Sequence, residues 1–180
     1  MHEYKDPYDL SILADPAQVV EKLKEFGVIG LLVLNKGGLS LLVRDYDSRG
    51  IFNIENASLV TSFVAAVISY ANSIKGSLTD IGLGGTRLVV KPHHDIIFCL
   101  FLDEKYLRRN LGEVFFDFVD LSLTNLTKVF QSFIQLTGKQ IIVNSDLLKQ
   151  FQGQADIILF ESLVKSAQYY SVKLSPDVSN

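Results

Sequence analysis

The apolar positions of this chain fall into two kinds of run. VIGLLVLN (Val28–Asn35) and IIFCLFLD (Ile96–Asp103) are almost continuously apolar and rich in β-forming side chains. Runs of this length suit strands buried on both faces, and the two should lie centrally and side by side in a sheet. Lys36-Gly37-Gly38 is a turn signal, so LSLLVRDY (Leu39–Tyr46) predicts the returning strand of a hairpin. SLTDIGLG (Ser77–Gly84) and TRLVVKP (Thr86–Pro92) read as two weaker strands about Gly84-Gly85. Asp80, Arg87 and Lys91 put them nearer an edge.

Elsewhere the period is helical. Asp15 as N-cap and Pro16 at the first helical position start a short helix over Ala17–Phe26, which Gly27 ends. A second helix is expected from about Asn56 to Gly76. From Glu104 a helical pattern runs to Gly138, carried by Leu107, Leu111, Val114, Phe115 and Phe118, then by Leu126, Val129, Phe130 and Phe133. Gly112 is a weak point in it, and Ser122 to Asn125 a candidate break. A closing helix, ADIILFESLVKSAQYYSV, follows Gly153. The order α-β-β-α-β-β-β-α-α predicts an α/β chain of the α+β type with a five-stranded, mostly antiparallel sheet, because most strands are joined by short turns. The helix between the second and third strands is the crossover. Residues 1–25 read as an N-terminal arm with a short helix, 26–172 as one domain and 173–180 as a tail.

Composition narrows the classes. The chain has 180 residues, 48% of them hydrophobic and 21% charged, enough to bury a sizeable core. Seventeen basic against 20 acidic residues give a net charge of −3, so there is no electrostatic reason to expect nucleic acid as a partner. The one cysteine, Cys99, rules out an internal disulfide and suits a reducing, cytoplasmic compartment. The opening MHEYKDPYDLSILADP is acidic and broken by Pro7 and Pro16, unlike a signal peptide. No integral membrane segment is expected either: Ser58, Thr61, Ser62, Ser69, Asn72 and Ser73 make the second helix too polar to span a bilayer.

The candidate chemistry is sparse, and no catalytic, cofactor or metal site is expected. His93-His94-Asp95 has metal-binding residue types, but neighbours on an extended chain point apart, and a hairpin turn accounts for them. Gly82-Leu83-Gly84-Gly85-Thr86 lacks the lysine and following helix of a phosphate loop. Cys99, mid-strand among Ile, Phe and Leu, reads as an inert core thiol. Arg44, Asp45 and Asp47 read as solvated charges at a strand end. Arg108-Arg109, read as opening a helix where cations are mildly unfavourable, is a weak candidate for an acidic partner.

The hairpin GLLVLNKGGLSLLVRDY, the helix LVTSFVAAVISYANSI, the strand pair RLVVKPHHDIIFCLFLD and the closing FQGQADIILFESLV together resemble the longin-like domain, in particular its archaeal members. The likeness spans roughly residues 26–172 and rests on pattern. Roadblock domains, a sister family with a helix before the first strand, are the alternative, and two helical segments after the fifth strand favour longin. The resemblance implies a longin/profilin-like sandwich, with one helix on one sheet face and two C-terminal helices on the other. It also implies a non-enzymatic module: an adaptor in membrane trafficking, or a regulatory platform for a small GTPase. A small-molecule sensor would need a pocket of convergent polar groups, which the sequence does not offer.

That arrangement sharpens the reading of ENASLVTSFVAAVISYANSIK, which holds no charge between Glu55 and Lys75. On a helical wheel Leu59, Val60, Phe63, Val67, Tyr70, Ala71 and Ile74 share one wide face, flanked by Val64 and Ala66, which is expected to cover the sheet. Opposite lie Ser58, Thr61, Ser62, Ala65, Ser69, Asn72 and Ser73, all small and neutral, with Ile68 at the margin. Interface cores are depleted in charge, so these seven residues form a candidate partner-binding face for a homodimer or heterodimer through residues 56–74. The alternatives left open are that residues 1–25 fold over this face, or that it is bare surface.

Overall fold

The structure, a computed structural model, describes residues 10–47, 54–73, 79–137 and 145–174. A 3-10 turn at Leu10–Ala14 leads into α1 (Pro16–Glu25), where Asp15 caps the helix by accepting from the Ala17 and Gln18 amides. Then come β1 (Val28–Asn35), β2 (Ser40–Asp45), α2 (Ile54–Ser73), β3 (Asp80–Leu83), β4 (Thr86–His93), β5 (Ile96–Asp103), α3 (Glu104–Leu111), α4 (Phe115–Thr137) and α5 (Ser145–Leu174). The expected stop of α2 at Gly76, the loop at 48–50, residues 1–9 and the tail beyond 174 lie outside the described residues.

The five strands form one sheet in the order β2-β1-β5-β4-β3, and every neighbouring pair is antiparallel. The two most apolar strands are adjacent, with β5 at the centre, and the strands carrying Asp80, Arg87 and Lys91 lie toward one edge. β2 and β3 occupy opposite edges, so α2 is the crossover that carries the chain across the sheet.

Side chains alternate across the pleat and feed two cores. Phe98, Leu100 and Leu102 of β5 join Val28, Leu31 and Val33 of β1 beneath α4 and α5. Ile97, Cys99 and Phe101 join Ile29, Leu32 and Leu34 on the other face, beneath α2. A register shift between Val28 and Gly30 absorbs one residue, which is why Val28 and Leu31 share a face although three positions separate them. One helix on one face and two long helices on the other is the α+β sandwich that the longin-like resemblance implies. The α1 helix joins the larger layer: Ile12, Val19 and Leu23 are buried with Phe151, Ala155 and Leu159 of α5. Residues 10–25 therefore lie on the far side of the sheet from α2 and do not cover it.

Two helix boundaries differ from expectation. Ser122 to Asn125 does not break α4; two hydroxyls in and beside it, those of Thr124 and Thr127, are met by a neighbouring strand and by the helix's own backbone. Thr127 Oγ1 donates to the Leu123 carbonyl at 2.6 Å, and the Thr124 hydroxyl accepts from Lys91 Nζ at 2.7 Å. Gly112, at φ 58° and ψ −126°, is where the helical run does break, into α3 and α4. Arg108 and Arg109 consequently sit in the last turn of α3, where the helix dipole favours cations, and not at a helix opening. Gly153 lies inside α5 without interrupting it.

Candidate functional site

The orientation of α2 keeps one part of the expected core face, with Val60 and Val64 inward, and corrects the other. The helix turns Val60, Val64, Ala65 and Ile68 onto the sheet, where Val64 is fully buried among Leu32, Leu88, Val90 and Phe101. Thr61 is buried too. Leu59, Phe63 and Tyr70, expected in the core, are 70%, 45% and 67% exposed. Of the expected partner-binding residues, Ser58, Ser62, Ser69, Asn72 and Ser73 are exposed, Ala65 is half-buried, and Thr61 faces inward.

The reason is steric. The sheet face already presents Leu32, Leu34, Leu88 and Phe101, all long side chains at or near full burial. A single helix lying on them packs closest with small and β-branched residues. The β1–β2 turn adds to this: Gly38, at φ 84°, approaches so near that an added Cβ would stand 2.9 Å from Cβ of Ala65. A large residue at 65, or any side chain at 38, would push the helix off.

The outward face of α2 is thus a ridge. Leu59, Phe63, Ala66 and Tyr70 follow one another at intervals of four, three and four, the seam spacing of a helix that packs on another helix. Ser62, Ser69 and Ser73 border the ridge with small neutral hydroxyls, and Val67 is half-buried beside it. On one flank a groove of about 370 Å³ opens between α2 and the sheet. Ala65, Ser69 and Asn72 line its helix side, and Val90, Pro92 and Ile97 its sheet side. Three of the expected partner-facing residues thus meet in this groove.

The other candidates resolve as follows. Arg44 is not a loose strand-end charge: its Nη2 and Nε donate to the two carboxylate oxygens of Asp156 at 2.7 and 3.2 Å. Tyr46 Oη donates to the same carboxylate at 2.6 Å, and the Arg44 guanidinium lies 5.4 Å from the Tyr46 ring. Burial, reinforced by the Asp156 charge, pushes the Tyr46 phenol well above its ordinary pKa, so it stays a donor. This cluster ties the β2 edge to α5. Sequence reading missed Asp156, which lies 112 residues from Arg44 with no local signal to join them.

Burial pushes the Cys99 thiol up to about 12, and the side chain is fully buried in the α2-facing core. His93 and His94 do not point apart as extended neighbours would. His94 takes φ 52° in the turn, and the two rings meet edge to face at 4.4 Å. Among the described residues no three His, Cys, Asp or Glu side chains group as a metal site would require. Gly84-Gly85 forms the β3–β4 turn, both at positive φ. No helix among the described residues is long and apolar enough to cross a membrane.

The fold and this face define a class: a three-layer α+β sandwich in which the one helix described on the smaller core turns a charge-free apolar ridge outward. Comparison with known proteins adds the following. No family model matches the chain, and no curated protein matches it. Among structures it is similar to MglB from Myxococcus xanthus, at 16% identity over 73% of this chain and 94% of that one, with a TM-score of 0.39. It is similar to a chain in a homology model of the full-length AP-3 complex in a stretched open conformation, at 17% identity over 81% and 98%, TM-score 0.36. It is also similar to the gliding protein MglB from Thermus thermophilus, at 16% identity over 93% and 95%, TM-score 0.34. The strand order and the layers, rather than these distant likenesses, carry the fold assignment.

Proposed function

We propose that this chain is a non-enzymatic interaction module of the longin-like or roadblock type, which pairs through the outward ridge of α2 and serves a small GTPase or a trafficking assembly in the cytoplasm. The single observation that carries the reading is the exposed run Leu59, Phe63 and Tyr70 on a helix free of charge between Glu55 and Lys75. Singly exposed apolar residues are ordinary, but a seam-spaced ridge bordered by serines is the surface that a partner helix would cover. The same ridge on a second copy is a fitting partner, because neither carries charges that repel. The outer edge of β3 supplies a second mode, since an edge strand can take an added strand.

Sedimentation tests this directly. The wild type is expected to sediment as a dimer, and Phe63→Glu, or Ser62→Glu with Ser69→Glu, as a monomer with an unchanged thermal midpoint. A monomeric wild type unaffected by these changes would exclude self-pairing. Pull-down against the small GTPases of the same genome, in both nucleotide states, then asks whether the ridge serves a heterologous partner. A sensor reading would draw on the 370 Å³ groove, and a metabolite retained through purification would favour it.

A further inference from the structure

On the opposite side of the sheet from α2, at the end where β4 begins and β5 ends, Phe116 of α4 is 53% exposed. Two guanidiniums flank its ring. Arg87 of β4 lies 5.7 Å and Arg108 of α3 lies 5.4 Å from the ring centroid. Both arginines pair with one carboxylate: Arg108 Nε donates to Glu104 at 2.7 Å, and Arg87 Nε stands 3.3 Å from the other Glu104 oxygen. The second contact is an ion pair without hydrogen-bond alignment, and Arg87 Nε is buried with no acceptor among the described residues. Glu104 is the one acid among the described residues that pairs with either arginine.

The count of groups is unequal. Two guanidiniums share one carboxylate, and among the described residues most of their N–H donors have no protein acceptor. Between them sits an aromatic ring half open to water. A guanidinium fork matches a carboxylate in two parallel bonds, while the ring offers an apolar seat beside it. We propose that the Arg87–Phe116–Arg108 knuckle is a docking site for an acidic peptide segment of a protein partner, one carboxylate spanning the two guanidiniums and an adjacent aliphatic or aromatic side chain stacking on Phe116.

Charge selects this partner over other anions. Glu104 occupies the centre of the site, and Glu113 and Asp117 are exposed on the elements that flank Phe116. A polyphosphate backbone or an anionic bilayer would set several charges against all three acids, whereas a single carboxylate meets two guanidiniums that share only the Glu104 carboxylate. The knuckle lies away from the α2 ridge, so its occupant and a second copy on α2 are compatible.

The test is selection of a phage-displayed library of random twelve-residue peptides on the full-length protein. The expected outcome is enrichment of peptides that place Asp or Glu beside Phe, Leu or Tyr. Their affinity should fall at least tenfold for Arg87→Gln, Arg108→Gln and Phe116→Ser, stay unchanged for Phe63→Glu, and weaken as salt rises from 50 to 500 mM. Enrichment of basic or uncharged peptides would overturn the proposal, and so would acidic peptides that bind all three knuckle variants as tightly as wild type. So would failure to enrich any peptide, or capture of phosphatidylserine vesicles that the knuckle variants lose. Circular dichroism of each variant keeps loss of fold apart from loss of the site.

Discussion

At the residue scale the molecule separates polar groups that hold the fold from one that does not. Asp156 is buried and accepts from both Arg44 and Tyr46. Asp156→Ala would leave a guanidinium and a phenol facing each other with no acceptor, and is expected to cost about 3 kcal/mol in urea unfolding, the low end for a pair whose arginine is partly solvated. Tyr46→Phe removes one bond to a charged acceptor and should cost about 1–2 kcal/mol. Ser122 is the contrast. Its hydroxyl is fully buried without a partner among the described residues, so Ser122→Ala should leave stability unchanged or raise it by up to about 1 kcal/mol. By sequence Arg44 reads as a solvated charge, because charges at a strand end usually are. Only the approach of α5 gives it a partner.

At the scale of elements, two glycines inside helical patterns behave oppositely. Gly112 holds φ 58° and ψ −126°, a conformation closed to other residues, and it turns the chain from α3 into α4. Gly112→Ala is expected to destabilise by about 1–3 kcal/mol in urea. Gly153 sits exposed within α5, and an added Cβ there would meet nothing within 4 Å. Gly153→Ala should stabilise by about 0.5–1 kcal/mol in the same measurement, since it relieves the helix of its most flexible residue. In sequence Gly112 is a weak point inside a helical run, whereas the closing helix is expected only after Gly153; in the structure that helix begins earlier, at Ser145. The α2 helix shows a different limit. Its wheel carries one wide apolar face, an arc of β-branched and small residues lying beside an arc of long ones. Periodicity reports that a helix is amphipathic, but when the apolar face is too wide to be covered whole it does not report which arc is inside. The choice fell to the small residues because of what the sheet already presents and because Gly38 touches Ala65.

At the scale of the whole molecule, the two layers bury Cys99 between α2 and the sheet. A folded thiol raised to about 12, against an ordinary value of 9.0, favours the protonated form of the folded state. That contribution is fully present below about pH 9 and is lost as pH rises from 9 toward 12. The urea midpoint of the wild type should therefore fall more steeply above pH 9 than that of Cys99→Ala. Native protein at pH 8 should resist alkylation by iodoacetamide and react once unfolded. Among the described residues the same layering leaves α2 as the one helix on that face, with Leu59, Phe63 and Tyr70 of its long-side-chain arc exposed, which sets up the pairing proposed above.

The five strands, the antiparallel hairpins, the central place of β1 and β5 and the α1 cap are legible in the order of residues, because they follow from local period, turn chemistry and capping within a few positions. The sequence also marks α2 as the element to watch, through the missing charge between Glu55 and Lys75. Tertiary structure alone decided which arc of α2 faces out, that Asp156 meets Arg44 and Tyr46, that residues 10–25 pack on α5, and that Arg87 and Arg108 converge on Phe116. Each of these depends on contacts between residues far apart in the chain, where steric fit and charge pairing act across space and leave no periodic trace in the order of the residues.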